Sequence, residues 1–273
     1  MKTKTKDRGE SKSKVKNFFK SMLSGIDKVF FPRNIKCLVC GRDLPKKQEI
    51  EFCEKCNSKL ERIESNFCAR CGTKLIGEEK FCLNCQNNQL DFDVARCVFV
   101  FSGKVKDLIH NFKYNNRPYM SSSLANCMYE LFTKLNWPVD FVIPVPSSKE
   151  TLKARGYNQA ELLASDFCSK SGLELREDIL KKTKHTKQQA SLNFNERKQN
   201  LDGSFDVDLS FRSTLRGKTI LLIDDVITTG STASECAKIL KKRGAERVLV
   251  LAVARAYHEI PVQNNLENAK SFV

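Results

Sequence analysis

The stretch TILLIDDVITTGST, residues 219–232, constrains the fold of this chain more than any other. Its apolar run at 220–223 has the length and composition of a buried strand, and two adjacent acids, Asp224 and Asp225, follow that run. A turn rich in hydroxyls and glycine, residues 228–232, then leads into a helical pattern. Backbone N–H groups of such a turn favour a phosphate, and paired carboxylates accept hydrogen bonds from a ribose diol. The stretch therefore predicts a strand, a turn and a helix that hold a sugar phosphate.

A simpler interpretation of the same stretch is an ordinary strand–turn–helix in which Thr232 is the N-cap. Residues 232–235, TASE, fit the capping-box pattern. Buried charges need partners, however, so two adjacent acids beneath a turn with three threonines favour a ligand site over a purely structural role. The turn lacks the pattern GxxxxGK[ST], which excludes a Walker-type phosphate loop.

Eight of the twelve cysteines form four CxxC pairs, separated by twelve, eleven and ten residues. A CxxC turn directs two thiolates at one cation, and two such turns complete a tetrahedral Zn²⁺ site. Glycine follows the first and third pairs only, which favours two sequential sites; an interleaved arrangement, first pair with third and second with fourth, stays open. Few large apolar side chains lie in this segment, so we expect it to need metal to fold. The predicted structural ligands are Cys37, Cys40, Cys53 and Cys56 for one zinc ion and Cys68, Cys71, Cys82 and Cys85 for the other.

Strand-like and helix-like patterns alternate after residue 91. Strands are predicted at 95–101, 140–145 and 247–254, and helices at 104–114, 120–135 and 160–171. Apolar strands that alternate with helices predict an α/β fold, in which a mostly parallel sheet carries helices on both faces. The four remaining cysteines lie within these apolar patterns, so we expect them in the core: Cys97, Cys127, Cys168 and Cys236.

A basic segment follows the predicted strand at 140–145. It holds Ser147, Lys149, Lys153 and Arg155, with Gly156 as its flexible point. Ligands in open α/β sheets bind beyond the carboxyl ends of the strands, so these cations are candidates to surround a pyrophosphate. The alternative is a solvated loop. Further along, the lysine-rich polar stretch 176–208 predicts a disordered connection or a functional lid.

Net charge and the first residues restrict the location of the protein. Of the formal net charge of +15, six charges lie in the first twenty residues, which hold eight Lys/Arg and two acids. This tail lacks the apolar region of a secretory signal, and no run of about eighteen apolar residues occurs, so we expect a cytoplasmic protein without a transmembrane segment. We expect the tail either to be solvated or to attract nucleic acid or anionic lipid, which would allow attachment at the inner membrane face. Residues 15–31 have the pattern of an amphipathic helix, which we expect to dock on the zinc module or on a partner rather than on a membrane.

Residues 220–232 resemble, position by position, the motif with which type I phosphoribosyltransferases bind 5-phosphoribosyl-1-pyrophosphate (PRPP). Over about residues 30–257 the chain resembles the ComF family, which joins an N-terminal double zinc ribbon to a type I phosphoribosyltransferase-like domain. That family is associated with natural competence, the import of single-stranded DNA and related DNA processing. The resemblance rests on the cysteine pairs, LIHNFKY at 108–114, PVP at 144–146, RGYNQA at 155–160, TKQQ at 186–189, Arg197, Asn200, Gly203 and Phe205.

The resemblance implies a PRPP site in which Mg²⁺ bridges pyrophosphate and ribose oxygens. The candidate catalytic residues Asp224 and Asp225 then hold the ribose diol, and the stretch from Lys181 to Arg197 closes over the ligand. The chain departs from the family pattern at 147–148, where two serines replace a bulkier or basic pair. By the same resemblance, the residues that bind the 5′-phosphate are Thr228, Thr229, Gly230, Ser231 and Thr232. The residues of the pyrophosphate loop are Ser147, Lys149, Lys153 and Arg155.

Two functions are consistent with these implications. One is phosphoribosyl transfer from PRPP to an unidentified acceptor with release of pyrophosphate. The other is a non-catalytic adaptor of the DNA-uptake machinery that binds PRPP, nucleotides or DNA, or that works mainly through its zinc ribbons. The resemblance to the ComF family implies single-stranded DNA and competence proteins as partners. The expected organisation is a basic tail and helix at 1–34, a double zinc ribbon at 35–90, a phosphoribosyltransferase-like domain at 91–258 and a C-terminal tail at 259–273.

Overall fold

The computed structural model describes residues 36–44, 49–183 and 203–256, which belong to two compact units, 1–53 and 54–273. The expected basic tail, the helix at 15–31 and the C-terminal tail lie outside the described residues, as do residues 184–202 of the lysine-rich stretch. In the part of the chain that is described, no helix is both long and apolar enough to cross a membrane. The four expected domain boundaries stay predictions.

The first unit contains one metal-binding knuckle. Backbone hydrogen bonds close its turn, from Cys37 N to Arg42 O at 2.7 Å and from Gly41 N to Cys37 O at 2.8 Å. A further bond, from Leu38 N to Glu51 O at 2.8 Å, ties the knuckle to the segment that carries the next CxxC pair. These bonds orient the thiols of the first pair toward one point, as the spacing predicts.

The second unit alternates strands and helices along the chain. Along the chain, the first two elements of this unit are short helices next to cysteines, and the last is a strand. The helices are α1 Glu54–Asn57, α2 Leu83–Asn87, α3 Gly103–Tyr114, α4 Met120–Leu135, α5 Lys149–Arg155, α6 Gln159–Ser171, α7 Arg212–Leu215 and α8 Ser231–Lys242, with a 3₁₀ turn at Leu209–Phe211. The strands are β1 Val94–Val100, β2 Phe141–Pro144, β3 Glu174–Leu175, β4 Leu180–Lys182, β5 Phe205–Val207, β6 Thr219–Ile227 and β7 Arg247–Arg255.

Five of these strands form a parallel sheet in the order β1-β7-β6-β2-β3. The central strands β6 and β7 have nine residues each and pair from Thr219–Arg247 to Ile227–Arg255. Their continuous apolar runs fit a strand covered on both faces, as parallel sheets require. The prediction of a mostly parallel α/β sheet is confirmed.

Helices cover the two faces of this sheet. Helices α4 and α6 pack on each other and on β2, β6 and β7, while α8 packs on β7 and on the small antiparallel pair β4–β5. Successive side chains of a strand point to opposite faces. Accordingly Ile220 and Leu222 share one core cluster with Ala237 and Leu240 of α8. The four isolated cysteines are buried, as expected: Cys97, Cys127, Cys168 and Cys236.

The second zinc ribbon continues this core. Cys68 and Cys71 belong to the same apolar cluster as β6 and α8. Backbone hydrogen bonds join β1 to the zinc-ribbon segment that precedes it. Ile63 N donates to Val98 O at 2.9 Å, and Ala95 N donates to Arg70 O at 2.7 Å. The ribbon thus covers the edge strand of the sheet, an edge that natural proteins protect from pairing with other chains.

Two local predictions were wrong. Strand β6 does not end at the acids but continues to Ile227, because Asp224 and Val226 still pair with Ala252 and Ala254 of β7. The basic segment after β2 is largely the helix α5 rather than a loop: Ser148 accepts a hydrogen bond from Thr151 N at 3.2 Å, which caps that helix.

Gly72, in the second knuckle, is held by two independent constraints. Its φ is +68°, a left-handed conformation that costs other residues about 1–2 kcal/mol. A Cβ at this position would lie 2.6 Å from the carbonyl oxygen of Ala95 in β1. Only glycine therefore permits the knuckle to approach the sheet this closely.

We expect Gly72→Ala to lower the free energy of unfolding by about 3 kcal/mol or more, since a backbone clash adds to the left-handed strain. Gly172→Ala is the matched control, because Gly172 has a φ of +74° and open space around its missing Cβ. That control should cost about 1–2 kcal/mol. Thermal unfolding with zinc bound measures both; equal losses would contradict the close approach.

Candidate functional site

The carboxyl edge of the sheet has a crevice between β2 and β6. These strands are neighbours, with Ile143 opposite Leu222 and Pro144 opposite Ile223. The long helix α6, which comes after β2 and the short helix α5, packs on one face of the sheet, and α8, which follows β6, packs on the other. The two connections therefore diverge, and this topological switch point is where open α/β sheets bind ligands.

The two predicted acids lie on opposite faces of β6 at this edge, because the strand continues through both. Asp225 is buried, and its Oδ1 lies 3.0 Å from Nζ of Lys113 at the end of α3. Asp224 faces the α8 side, and its Oδ1 accepts a hydrogen bond from Asp225 N at 2.8 Å. The acids therefore meet different partners, a difference that the sequence spacing alone does not reveal.

Asp224 has an unusual protonation equilibrium. Burial, and after it the charge of Asp225, raises the pKa of Asp224 from 3.8 to about 7, although Lys113 opposes this shift. Lys182 of β4 lies on the same side, where burial lowers its pKa while the nearby Asp224 acts in the opposite direction. Near neutral pH this carboxyl group can therefore take or release a proton when a cationic or hydroxyl ligand arrives.

The turn after β6 has the geometry of an anion cradle. Gly230 is the N-cap of α8, with a φ of +86°. Oγ1 of Thr229 lies 2.9 Å from Oγ of Ser231 and accepts from Ser231 N at 3.3 Å. The helix begins at Ser231, so Thr232 is not its N-cap and the capping-box interpretation is wrong. Thr228 is exposed at the entry to the turn.

Packing behind the turn keeps it in place. The position of a Cβ on Gly230 would lie 3.5 Å from the ring of Phe92, which precedes β1. Oγ of Ser234 donates to Oδ2 of Asp91 at 2.8 Å and accepts from Asp91 N at 2.9 Å. The segment before β1 therefore anchors the first turn of α8, an element that sequence analysis did not connect to the site.

Hydrogen bonds also shape the connection after β2. Ser147 Oγ donates to Oδ1 of Asn158 at 3.0 Å, and Nδ2 of Asn158 donates to Val145 O at 3.1 Å. Gly156 ends α5 with a φ of +82°. Ser147 is thus tied within its own connection.

A cavity of about 680 Å³ opens beside the acids. It is lined by Lys113, which also pairs with Asp225, and by residues of α5. Arg155 lies over the ring of Tyr114 at 4.7 Å and donates to its hydroxyl at 2.9 Å. A volume of this size fits a small-molecule ligand. The lining residues are Lys113, Tyr114, Asn116, Glu150, Thr151, Ala154, Arg155 and Gly156.

Only one of the three predicted pyrophosphate cations lines this cavity. Arg155 is part of the wall, whereas Lys149 and Lys153 are exposed on α5 and are absent from the described lining. Lys113 and Tyr114 belong to the stretch LIHNFKY at 108–114 that carries the ComF resemblance, but the sequence predicts no binding role for either residue. The pairing of Lys113 with Asp225 joins residues more than a hundred positions apart, which no local pattern signals. TKQQ at 186–189, Arg197 and Asn200 lie outside the described residues.

The cysteines form two groups of four whose sulfurs lie within 4.8 Å of one another, Cys37/Cys40/Cys53/Cys56 and Cys68/Cys71/Cys82/Cys85. This grouping confirms the sequential arrangement over the interleaved one. The sulfurs of Cys40 and Cys53 are 3.8 Å apart, and those of Cys71 and Cys82 are 3.6 Å apart. A tetrahedron with Zn–S bonds of about 2.3 Å has edges of about 3.8 Å, so both groups fit Zn²⁺.

The crowding of the second group also affects its protonation. Hydrogen bonds from Cys71, Cys82 and Cys85 lower the pKa of the Cys68 thiol. The same contacts raise the pKa of the Cys82 and Cys85 thiols. One sulfur of the group therefore loses its proton readily while two retain theirs, and zinc displaces those protons when it binds, because its ligand is the thiolate.

Comparison with known proteins agrees with this geometry. Residues 26–86 match the double zinc ribbon domain, and residues 127–266 match the phosphoribosyl transferase domain. Competence protein F of Haemophilus influenzae is 30% identical over 229 residues, which cover 82% of this chain and 98% of that protein.

Two further relatives have lower identity. The DNA utilization protein YhgH of Escherichia coli is 27% identical over 75% of this chain and 90% of its own length. Competence protein ComFC of Streptococcus pneumoniae is 26% identical over 81% of this chain and 100% of its own length. The zinc ribbons, the phosphoribosyl transferase domain and a relative matched over nearly its whole length all agree: the chain belongs to the ComF family.

Proposed function

We propose that the chain binds PRPP together with Mg²⁺ at the carboxyl edge of its sheet and transfers the phosphoribosyl group to an acceptor. The observation that carries this proposal is the arrangement at the β2–β6 switch point. There, two carboxylates of β6 precede a turn that opens into the N-terminus of α8. A ribose 5-phosphate matches this arrangement, with its phosphate at the turn and its hydroxyls at the acids.

Each part of PRPP has a candidate partner. The turn from Thr228 to Thr232 offers backbone N–H groups and hydroxyls to the 5′-phosphate. The pyrophosphate suits the cavity, where Lys113 and Arg155 supply positive charge. Asp224 and Asp225 supply the oxygen ligands that Mg²⁺ prefers and the acceptors that a diol needs. When bound, Mg²⁺ neutralises charge on the pyrophosphate.

The reaction requires positioning more than covalent participation by the protein. The bond between the anomeric carbon and pyrophosphate breaks, and its electron pair leaves with the pyrophosphate. A lone pair of the acceptor forms the new bond to that carbon, and the acceptor then gives up its proton to solvent water. Lys113 and Arg155 stabilise the leaving anion, while the turn holds the ribose in place.

A role in the uptake or use of DNA is part of the proposal. It is supported by the names of the relatives, competence protein F, ComFC and DNA utilization protein YhgH. The net charge of +15 suits contact with single-stranded DNA, and the proposed location is cytoplasmic, with attachment to the inner membrane face as an alternative.

A second candidate function is that of an adaptor without turnover. It is supported by exposed apolar side chains on the second zinc ribbon, where Ile76 is 85% exposed and Leu83 is 50% exposed. Apolar side chains of this kind next to a rigid metal site suit contact with another protein. In this function PRPP or a nucleotide acts as a bound ligand, and competence proteins are the partners.

Calorimetric titration of the zinc-loaded chain with PRPP and Mg²⁺ tests the shared part of both functions. We expect Asp224→Asn and Asp225→Asn each to weaken binding by about tenfold or more, since hydrogen bonds to charged groups contribute about 1.5–3 kcal/mol. Asp107→Asn is the control, because Asp107 is exposed and its described ion pair is with Lys104, one turn away on α3. Undiminished binding in both acid variants would remove the ribose site from the proposal.

Pyrophosphate release then separates the enzyme from the adaptor. The chain is incubated with PRPP, Mg²⁺ and one candidate acceptor at a time, and the released pyrophosphate is measured. The candidate acceptors are nucleobases, amines and single-stranded DNA. Release that the acid variants abolish supports transfer. Binding of PRPP without release from any acceptor favours the adaptor.

The raised pKa of Asp224 predicts a pH dependence of binding. Below about pH 7 this carboxyl group is protonated, so PRPP–Mg²⁺ affinity should rise by roughly tenfold between pH 6 and pH 8. Asp224→Asn should show a smaller rise, which then reflects the ligand's own phosphate. Identical pH profiles in the native chain and the variant would contradict the assignment.

The same shift affects stability, with a sign that can be worked out. An acid whose folded pKa is raised binds more protons when folded, so stability falls as pH rises from about 4 to about 7. The Asp224→Asn variant carries no ionisable group at this position, so its stability does not fall in this way. The free energy of unfolding of the variant should therefore exceed that of the native chain at pH 8, and the difference should shrink toward pH 6.

Lys113 and Lys149 distinguish the cavity from the exposed face of α5 as the pyrophosphate site. We expect Lys113→Met to weaken PRPP binding by about tenfold and Lys149→Met by less than twofold, because only Lys113 lines the cavity. Lys113→Met also leaves the buried Asp225 without its ion pair. The double variant Lys113→Met with Asp225→Asn should therefore regain stability but not affinity. A larger loss of PRPP affinity in Lys149→Met than in Lys113→Met would instead place the pyrophosphate at the exposed face of α5.

A further inference from the structure

Arg255, the last residue of β7, is a buried arginine that connects two sites. It is 3% exposed. Its Nε donates to Cys71 O at 3.2 Å and one terminal nitrogen lies 3.5 Å from Cys71 Sγ, while the other donates to Ile227 O at 2.9 Å. One guanidinium therefore spans the distance between the second cysteine cluster and the end of β6.

The cysteine cluster provides the countercharge for this buried cation. Four thiolates and one Zn²⁺ leave two negative charges, because each thiolate carries one and the metal neutralises two of the four. Arg96 lies on another side of the same cluster, where its guanidinium donates to Ala69 O at 3.1 Å and Ala95 O at 2.7 Å. Two arginines thus balance the charge of the metal-loaded cluster, and loss of the metal would disturb both.

The other end of Arg255 acts on the phosphate turn. Ile227 O also accepts from Ala256 N at 2.9 Å, so the orientation of this carbonyl is fixed by two donors. The peptide group is planar and trans, so the N–H of Thr228, the first residue of the turn, lies in the same plane as Ile227 O and points in the opposite direction. By holding Ile227 O, Arg255 sets the direction in which the turn begins.

We infer that Arg255 is a positioning residue through which metal in the second cysteine cluster strengthens ligand binding at the phosphate turn. The inference rests on the proposed function, since it takes the turn to be the 5′-phosphate site. Coupling between two sites is reciprocal in binding free energy, so bound PRPP must also raise the affinity of that cluster for its metal. We expect the tighter metal to leave the cluster more slowly. We expect no such coupling for the first cluster, Cys37/Cys40/Cys53/Cys56, because the hydrogen bonds described for Arg255 go to Cys71, Ile227 and Ala256.

Zinc release from the full chain to a chromogenic chelator measures the coupling directly. With saturating PRPP and Mg²⁺, release from the second cluster should slow by about fivefold or more, the lower range of typical coupling. Release from the first cluster should not change. Cys40→Ser, which removes a ligand of the first cluster, identifies the phase that belongs to it.

Two conservative variants separate positioning from general structural support. Arg255→Lys keeps the charge but cannot span Cys71 and Ile227 with a planar fork, so the ratio of release rates with and without PRPP should fall below about twofold. Arg96→Lys perturbs the same cluster without a bond to β6, and it should keep the ratio of the native chain. A ratio is used because a merely structural defect changes both rates together.

The outcomes are distinct. If PRPP binds calorimetrically but leaves zinc release from the native chain unchanged, the coupling is wrong and the proposed function stands. If PRPP does not bind, the proposed function fails and the coupling fails with it. If Arg255→Lys does not fold, the native chain still decides. Loss of metal from the second cluster must weaken PRPP binding by the same factor by which PRPP raises zinc affinity in equilibrium competition with the chelator.

Discussion

The parallel pairing of β6 with β7 is the interaction on which the rest of the structure depends. Both strands are buried over almost their whole length, and their register brings Ile227 beside Arg255 at the carboxyl edge. That register decides where the phosphate turn starts and where the buried guanidinium lies. It also carries the acids into the edge of the sheet, since Asp224 and Asp225 are residues of β6 and Asp224 pairs with Ala252 of β7. Site and core are thus built from the same hydrogen bonds.

Placing acids inside a strand has an electrostatic consequence. On one face Asp225 is compensated by Lys113, at 3.0 Å. On the other face Asp224 lies near Lys182, whose own charged form is disfavoured by burial, and the pKa of Asp224 rises to about 7. A strand that served only the core would place apolar residues at both positions. Burial of carboxylates in a strand is energetically unfavourable. An unfavourable feature at one place in an otherwise consistent fold is typical of binding sites.

Sequence patterns predicted the elements well where the signal was local. The strands at β1, β2 and β7, the helices α3, α4 and α6 and the sequential cysteine groups all follow from spacing and apolar periodicity. The predictions failed where tertiary pairing decided the outcome. Strand β6 continues past Asp224 because β7 offers partners, and α5 forms because Ser148 caps it, although a row of lysines and a glycine suggested a loop.

The roles of Lys113 and Arg255 were beyond sequence analysis for a physical reason. Each contact joins chain segments that are far apart in sequence, and neither residue lies in a motif with a fixed spacing to its partner. Arg255 ends an apolar strand, where an arginine usually marks the return to solvent. Its burial depends on the position of the second zinc ribbon, which no periodicity in β7 encodes.

The second zinc ribbon is therefore better understood as part of the sheet domain than as a separate module. Its cysteines lie in the same apolar cluster as β6 and α8, Gly72 allows it to contact the backbone of β1, and Ile63 supplies a donor to that edge strand. Removing it would expose an edge strand and take from Arg255 its countercharge and its bonds to Cys71. The guanidinium that holds Ile227 O would then be less firmly fixed. A ribbon in this position can bind a partner through its outer side chains while its inner side supports the phosphate turn. Structural zinc and ligand binding are then two properties of one folded unit, and partner contact at the ribbon has a short physical path to the site.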